Sequence, residues 1–320
     1  MSKKILRNIQ LHELMDLKID YAFKQLFGTE KNKQLTIVFL NAILRKTRRS
    51  PIEDVIFIAQ EVGGEYKEDK QSRLDIVVRN EANELINIEM QLANQNDMIQ
   101  RTLYYWSRLY ASQLKRSKGY HLLHPTITIN ICDFDLLPTP NYHSSYYLCE
   151  HDTKHPLFQN NHIFEIHFIE MKKFIKLWYE HQLNPFDDLL VRWLLLLSMV
   201  DDRKSKVYDD IYKELEELTM TDSRLEQAFQ KWEELSQTPE SILAYDARLK
   251  AILDEEARIE YAETKGFEDG RNKGFEQGKD KGLRQAAQSI LDQGYSMQEV
   301  SKLLNLPVEK IQKLIEKEPS

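Results

Sequence analysis

Hydrophobic residues recur at helical spacing in two segments near the start of the chain. Residues 19–27 carry a stripe that includes Phe23 and Phe27, and residues 34–44 carry a second stripe. Apolar positions three and four residues apart lie on one face of an α-helix. The pattern therefore predicts two helices that pack through these stripes.

A different periodicity follows. Residues 72–80 and 85–93 alternate apolar and polar positions around a short polar loop, which predicts a β-hairpin. Four further elements are predicted in the same way: a strand at 55–62, a helix at 96–117, and strands at 126–132 and 162–169. The order helix, helix, three strands, helix, two strands predicts an α/β layered core.

The second half of the chain is predicted to be helical almost to its end. Five glycines stand four residues apart within it, at Gly266, Gly270, Gly274, Gly278 and Gly282. Each glycine costs a helix about 1 kcal/mol relative to alanine. The stretch is therefore either a flexible charged linker, which we favour, or a helix that another helix approaches closely.

The last residues predict short helices closed by a small apolar core. Ser296 and Glu299 have the spacing of a capping box. The unit resembles a helix-turn-helix, with a packing or dimerisation bundle as the alternative. The predicted division of the chain is a core at 1–172, an acidic helical region at 173–264, a glycine-repeat helix or linker at 265–283, and a small helical tail at 284–320.

Two acidic residues of the hairpin are candidates for chemistry. If the loop is centred on Ala82, Asp75 lies opposite Glu89, and opposed Cβ atoms are about 5 Å apart. Two carboxylates this close repel one another, and a divalent cation between them removes the repulsion. Oxygen ligands of this kind suit magnesium. The alternative is that both are solvated residues on the polar face of an edge hairpin.

Composition narrows the class of protein. The 320 residues have a net charge of −7 and contain only two cysteines, which favours a globular protein of a reducing compartment over a disulfide scaffold. There is no apolar segment typical of a signal peptide, and the most apolar run, 189–200, is too short to cross a bilayer. We therefore expect a cytoplasmic protein without a membrane partner.

Charge is unevenly distributed along the chain. Residues 1–50 carry 11 basic and 4 acidic residues, whereas residues 201–265 carry 10 basic and 18 acidic ones. This distribution predicts that any contact with a polyanion lies at the front of the chain. Chance and solubility are the alternative explanation.

Several motifs together resemble one known family. They are Lys18-x-Asp20-x-x-Phe23-Lys24-x-x-Phe27, then Arg73-Leu74-Asp75-Ile76, then Asn87-Ile88-Glu89-Met90-Gln91. The helix from Arg101 to Tyr110, the glycine repeat and Gly294-Tyr295-Ser296 add to the likeness. In this order they resemble the PD-(D/E)XK nuclease family transposases, also called recombination-promoting nucleases, over nearly the whole chain.

The resemblance implies a restriction-endonuclease-like core, with a central mixed sheet flanked by helices, followed by an α-helical C-terminal region. It also implies a metal-dependent DNA endonuclease in which Asp75 and Glu89 hold a divalent cation, usually magnesium, and the Met90 carbonyl completes the site. The broader superfamily has a lysine where this chain has Gln91. An amide can orient water but cannot supply positive charge.

The missing charge has several candidate sources. Lys24 is one, and Lys70, Lys115 and Lys118 are others. In related nucleases the first helix often supplies an acid near the metal, which makes Asp20 a candidate ligand. Asp20 and Lys24 also have the spacing of an ordinary i, i+4 helix pair.

The helix after the hairpin carries candidate DNA contacts. One side of this helix presents Arg101, Tyr105 and Arg108, which could bind the phosphate backbone of DNA. The alternative is the polar outer face of an amphipathic helix.

We expect a magnesium-dependent endodeoxyribonuclease that forms a homo-oligomer, a dimer, through its helical C-terminal region. The alternative function is a catalytically weak or inactive nuclease-derived module that binds DNA or protein.

Overall fold

The chain folds into two compact units, Met1–Lys250 and Ala251–Ser320. A computed structural model describes residues 5–47, 50–58, 61–62, 72–94, 96–114, 119–157 and 163–316. The first unit contains all of the described strands, and the second is helical. The predicted α/β class with a helical C-terminal region is therefore confirmed.

Six strands form a mixed central sheet. The described strands are β1 (Val55–Phe57), β2 (Glu61–Val62), β3 (Ser72–Arg73), β4 (Ile76–Asn80), β5 (Leu85–Gln91), β6 (Thr126–Cys132), β7 (His143–Tyr147), β8 (Phe164–Glu170), β9 (Val200–Asp201) and β10 (Lys206–Val207). The sheet order is β1–β4–β5–β6–β8–β7. Strands β5, β6 and β8 run parallel, and the other neighbours are antiparallel. The pairs β2–β3 and β9–β10 are separate short ladders.

Helices of the first unit flank this sheet, and helices continue to the end of the described chain. They are α1 (Asp20–Phe27), α2 (Lys33–Leu44), α3 (Met98–Ser112), α4 (Met171–Tyr179), α5 (Leu189–Ser198), α6 (Asp209–Leu218), α7 (Ser223–Gln237), α8 (Pro239–Asp292), α9 (Met297–Leu304) and α10 (Val308–Glu316). Among the residues that the structure describes, no helix combines the length and apolar character that spanning a bilayer requires.

Strands β4 and β5 pair in the predicted register. Ile76 lies opposite Ile88, as expected for a loop centred on Ala82, and the ladder continues residue by residue without a bulge. The Asn80 side chain closes the loop, because its Oδ1 accepts hydrogen bonds from the backbone amides of Ala82 and Glu84. The two strands therefore bring the predicted carboxylates to the same end of the hairpin.

Helices cover both faces of the sheet. On one face, Val77 and Leu85 pack with Leu109 of α3. On the other, α1 comes so close to β4 that a Cβ added to Gly28 would lie 3.1 Å from the Ile76 side chain. Burial on both faces is typical of central parallel strands, and every residue of β6 is buried.

The acidic helical region packs onto the front of the chain. The Phe27 ring lies 5.8 Å from that of Trp193 in α5, centroid to centroid. Trp232 of α7 donates its Nε1 hydrogen to the Met15 carbonyl at 2.8 Å. The predicted boundary at residue 172 therefore marks a change in secondary structure, and as a domain boundary it stays a prediction.

The second unit contains the glycine repeat and the tail. The glycines lie inside α8, so this stretch is a helix and the linker that we favoured is wrong. Ser296 and Glu299 form the predicted capping box at the start of α9. Ala287, Val300 and Ile311 form the small core. Leu303 of α9 lies outside this core and is 61% exposed.

Candidate functional site

The predicted carboxylate pair lies inside the sheet. Glu89 is in β5, an interior strand, and Asp75 immediately precedes β4. Asp75 is 7% exposed and Glu89 is 2% exposed. The Asp75 amide donates to Glu89 Oε1 at 3.3 Å, and the Met90 amide donates to Asp75 Oδ2 at 2.9 Å. The alternative of two solvated acids on an edge hairpin is therefore wrong.

Burial makes the ionised form of both carboxyl groups unfavourable. It raises the pKa of Glu89 to about 8, and the neighbouring negative charge of Asp75 adds to the rise. A hydrogen bond from the Asn87 amide, at 3.1 Å, opposes this rise in pKa. The pKa of Asp75 is also raised by burial, while the ion pair with Lys24 opposes that rise. A cation placed beside the pair would favour ionisation of both groups.

Lys24 of α1 supplies one positive charge beside the Asp75–Glu89 pair. Its Nζ lies 2.8 Å from Asp75 Oδ1 and 3.7 Å from Asp20 Oδ2. The spacing of Asp20 and Lys24 on the helix had suggested an ordinary surface pair. The shorter contact of Lys24 is with Asp75, so the close packing of α1 on β4 brings this lysine into the hairpin site.

Asp20 is also held by a residue that the sequence pattern does not single out. Arg248, in the first turns of α8, places its Nε 2.6 Å from Asp20 Oδ1. The two residues are 228 positions apart in the chain. Asp20, which we predicted as a metal ligand, is therefore engaged by two cations, Arg248 and Lys24.

Gln91 lies at the end of β5 beside the carboxylates. Its Nε2 donates to Glu89 Oε2 at 3.2 Å. Because the Gln91 side chain is a neutral amide, this contact stabilises the position of Glu89 but brings no net positive charge. The charge at the site therefore has to come from other residues.

Helix α3 brings Arg101 into the electrostatic environment of Glu89. The positive charge of Arg101 lowers the pKa of Glu89, against the larger effect of burial. The Arg101 guanidinium lies 5.2 Å from the centroid of the Tyr105 ring, and its Nε is buried without a hydrogen-bond partner among the described atoms. Tyr105 packs against the apolar cluster under α3, and Arg108 is half-buried on the same helix.

The sequence of the chain matches the model of a known protein family. The family model described as PD-(D/E)XK nuclease family transposase matches residues 17–262, which is more than half of the chain. The chain belongs to this family. No curated protein and no solved structure gives a significant match to it. The resemblance stated from the sequence motifs is therefore confirmed.

PD-(D/E)XK nucleases generally use divalent metal ions, and the donor atoms present fit such an ion. Within the described part of the chain, no group of three or more His, Cys, Asp or Glu side chains is arranged to hold a metal. Magnesium is commonly bound through one or two carboxylates, with water and substrate phosphate as the other ligands. Asp75 and Glu89, with the predicted carbonyl of Met90, are oxygen donors of that kind.

The structure brings most of the predicted PD-(D/E)XK site residues into one connected group: Asp75, Glu89, Met90, Gln91, Lys24 and Asp20. Of the lysines considered as a source of charge, Lys24 lies in this group. The other three lie outside the described residues: Lys70, Lys115 and Lys118.

Two residues of the site carry contacts that sequence reasoning did not assign. Asn87 shares a strand face with Glu89 by period two, so the alternation pattern could have found its hydrogen bond. Arg248 has no such signal, because its partner Asp20 is distant in the sequence and the surrounding helix is acidic.

Proposed function

We propose that the protein is a magnesium-dependent endonuclease that hydrolyses phosphodiester bonds in DNA. The main support is the buried Asp75–Glu89 pair, which stands in the predicted register beside Gln91 and Lys24. Membership of a nuclease family supports the class of reaction. The choice of magnesium, of DNA and of internal cleavage extends beyond that membership.

Each side chain of the site has a role in this proposal. Asp75 and Glu89, with the Met90 carbonyl, hold the cation. When bound, a divalent cation stabilises the charge that develops on the phosphate and acidifies water. Gln91 orients the attacking water, because an amide both donates and accepts hydrogen bonds. Lys24 supplies positive charge next to the carboxylates.

The contacts of α3 support a further role for Arg101. Its charge favours the ionised form of Glu89, so in this proposal it contributes to the site as well as to binding of the DNA backbone. Tyr105 holds the guanidinium in place through its ring face. Arg108, about two turns beyond Arg101 on α3, is the second backbone contact.

A nuclease-derived module that binds without cutting is the second candidate function. The observation that favours it is Gln91, which leaves the position of the superfamily lysine without charge. The two candidates differ in one measurable property, since the binding module engages DNA without hydrolysing it.

Incubation of the purified protein with supercoiled plasmid tests the proposal. We expect magnesium to support nicking or linearisation, and EDTA to stop it. Asp75→Ala and Glu89→Ala should abolish cleavage, whereas Glu81→Ala, in the exposed loop of the same hairpin, should retain it. Cleavage by Asp75→Ala at the wild-type rate would overturn the assignment of the metal site.

The proposal includes an assembly state and a compartment. We place the nuclease in the cytoplasm as a homodimer joined through its helical C-terminal region. The support for the dimer is Phe267 and Phe275, which are both 71% exposed on α8. In this proposal the two rings belong to an apolar surface that a second copy of the chain covers, since contiguous apolar surface marks protein–protein contacts.

A further inference from the structure

A groove lies next to the carboxylate pair, between α1 and the first turns of α8. It has a volume of about 490 Å³ and is lined mainly by polar side chains. The lining residues that matter here are Asp20, Lys24, Gln25, Thr29 and Arg248. All of them belong to the first compact unit.

The groove is continuous with the proposed metal centre. Lys24 lines the groove and also contacts Asp75 at 2.8 Å. Asp20 joins Lys24 to Arg248, with ion-pair distances of 3.7 Å and 2.6 Å. A strand of DNA whose scissile phosphate lies at Asp75 would therefore extend along this groove with its neighbouring phosphates.

The charge of the groove suits a phosphate backbone. Lys24 and Arg248 are two cations that line the groove; Lys24 is paired with Asp75 at 2.8 Å, and Arg248 with Asp20 at 2.6 Å. The Arg248 side chain is 49% exposed, and the one hydrogen bond that it makes among the described residues uses Nε. A guanidinium has five donors in a fixed fork that matches phosphate geometry. Arg248 can therefore bind a phosphate while it remains near Asp20.

We infer that this groove binds the DNA backbone beside the scissile phosphate, and that Arg248 is a phosphate contact. This inference rests on the proposed function, because it names where the substrate of the same site is held. It places a DNA contact inside residues 201–265, a segment whose acidic composition had pointed away from DNA. A phosphate contact depends on the side chain that touches the phosphate, so Arg248 can bind DNA although the segment around it is acidic on average.

Salt dependence of DNA binding tests the inference. Affinity for a short DNA duplex is measured by fluorescence anisotropy at several salt concentrations, in EDTA, so that cleavage does not contribute. Each phosphate contact contributes about 0.9 to the slope of log K against log salt. Arg248→Gln should therefore reduce the slope by about one, and Arg248→Lys should largely keep it. Arg258→Gln is the matched control, because Arg258 lies further along α8, is 76% exposed and pairs with Glu255.

A double variant separates a direct contact from an indirect one. If Arg248 only neutralises Asp20, then Asp20→Asn combined with Arg248→Gln should restore the wild-type slope, and the inference would be overturned. If Arg248 contacts phosphate, the double variant should keep the reduced slope. Circular dichroism and thermal unfolding of each variant check that the fold is intact.

The outcomes also distinguish this inference from the proposed function. A wild-type enzyme that cuts plasmid, with an unchanged slope in Arg248→Gln, would overturn the inference and leave the nuclease assignment in place. A wild-type protein that does not cut, with a reduced slope in Arg248→Gln, would support the groove and overturn the nuclease. Absence of DNA binding by the wild-type protein would overturn the inference directly.

Discussion

Glu89 stands in an environment that opposes its own charge. It is 2% exposed, lies beside Asp75, and receives hydrogen bonds from Asn87 and Gln91. These bonds offset only part of the loss of hydration, and its pKa is raised to about 8. An unfavourable environment of this kind is retained at functional sites because it serves binding or catalysis rather than folding.

The stability of the cation-free protein should therefore depend on this carboxyl group. Between pH 4.5 and about 8, folded Glu89 keeps a proton that the unfolded chain releases. Its contribution to the free energy of unfolding consequently falls as the pH rises through this window. In EDTA, Glu89→Gln should raise Tm clearly at pH 9 and little at pH 5. A change of 1 kcal/mol in the free energy of unfolding shifts Tm by about 2–4 °C in a unit of 150–250 residues.

Thermal unfolding at the two pH values provides the measurement, and Glu81→Gln is the exposed control on the same hairpin. Gln91 can turn its amide over to accept a hydrogen bond from the new side chain, so the variant keeps its local bonding. Addition of magnesium should stabilise the wild type more than Glu89→Gln. An equal Tm for wild type and variant at pH 9 would show that Glu89 is not held in an unfavourable state.

Gln91 gives a second prediction at this scale. If its role is to orient water, Gln91→Lys should remain active, because lysine is the residue of the wider superfamily. Gln91→Ala removes one hydrogen bond to the nucleophile and should slow plasmid cleavage by about 10- to 1000-fold. An unchanged rate in Gln91→Ala would mean that another group positions the water.

At the scale of elements, local periodicity predicted the strands that carry the site and missed one at the edge of the sheet. The alternation in β4 and β5 gave both the hairpin and its register, because one face of each strand is apolar. Strand β7 has the sequence His143-Ser-Ser-Tyr-Tyr, and most of its side chains are exposed. It pairs with β8 and is held there by His143 Nε2, 2.9 Å from His167 Nδ1. A side-chain contact between two strands produces no periodic pattern in the sequence of either strand, so periodicity did not predict β7.

The glycine repeat of α8 was predicted wrongly because the prediction relied on the low helix propensity of glycine alone. The five glycines weaken a helix, yet α8 continues through all of them. Within the second unit, no described atom outside the helix backbone lies within 4 Å of a Cβ added at Gly274. Alanine would therefore fit there without displacing any neighbour.

Gly274→Ala should consequently stabilise the helix, by about 1 kcal/mol. Gly294, just after the end of α8, has φ of 93° and is the matched contrast, since an L-residue is strained in that conformation. Gly294→Ala should destabilise the tail by about 1–2 kcal/mol. Thermal unfolding measures both changes. If Gly274→Ala instead lowers Tm or the mass of the oligomer, a second helix approaches α8 closely at this glycine.

At the scale of the whole molecule, the class of fold and the family could be predicted, whereas the contacts between distant segments could not. Trp232 with Met15 and Arg248 with Asp20 join positions more than 200 residues apart. Such contacts depend on how completed elements pack, and no window of sequence contains both partners. For this reason the acidic helical region at 173–264 was predicted apart from the core at 1–172, although Trp193 of that region packs against Phe27.

Truncation tests this organisation. A chain ending at Thr264 keeps the whole first unit, Met1–Lys250, and should fold with its carboxylate site intact. We expect light scattering to show a smaller oligomer and DNA binding to keep its salt slope, because the removed segment serves self-association. A smaller salt slope would instead assign the tail to DNA. A chain ending at residue 172 should fail to fold, because it lacks the buried Trp193 and Trp232.

The ion pair between Lys24 and Asp75 has a consequence for when the proposed nuclease would be able to act. In the resting protein the lysine already neutralises one of the two carboxylates that a divalent cation requires. Lysine and cation therefore compete for Asp75, and a DNA phosphate that draws Lys24 away removes the competitor. Metal and DNA should then each strengthen binding of the other, because coupling between two sites is reciprocal. In the proposed nuclease, Lys24 would therefore oppose binding of the cation until a DNA strand occupies the site.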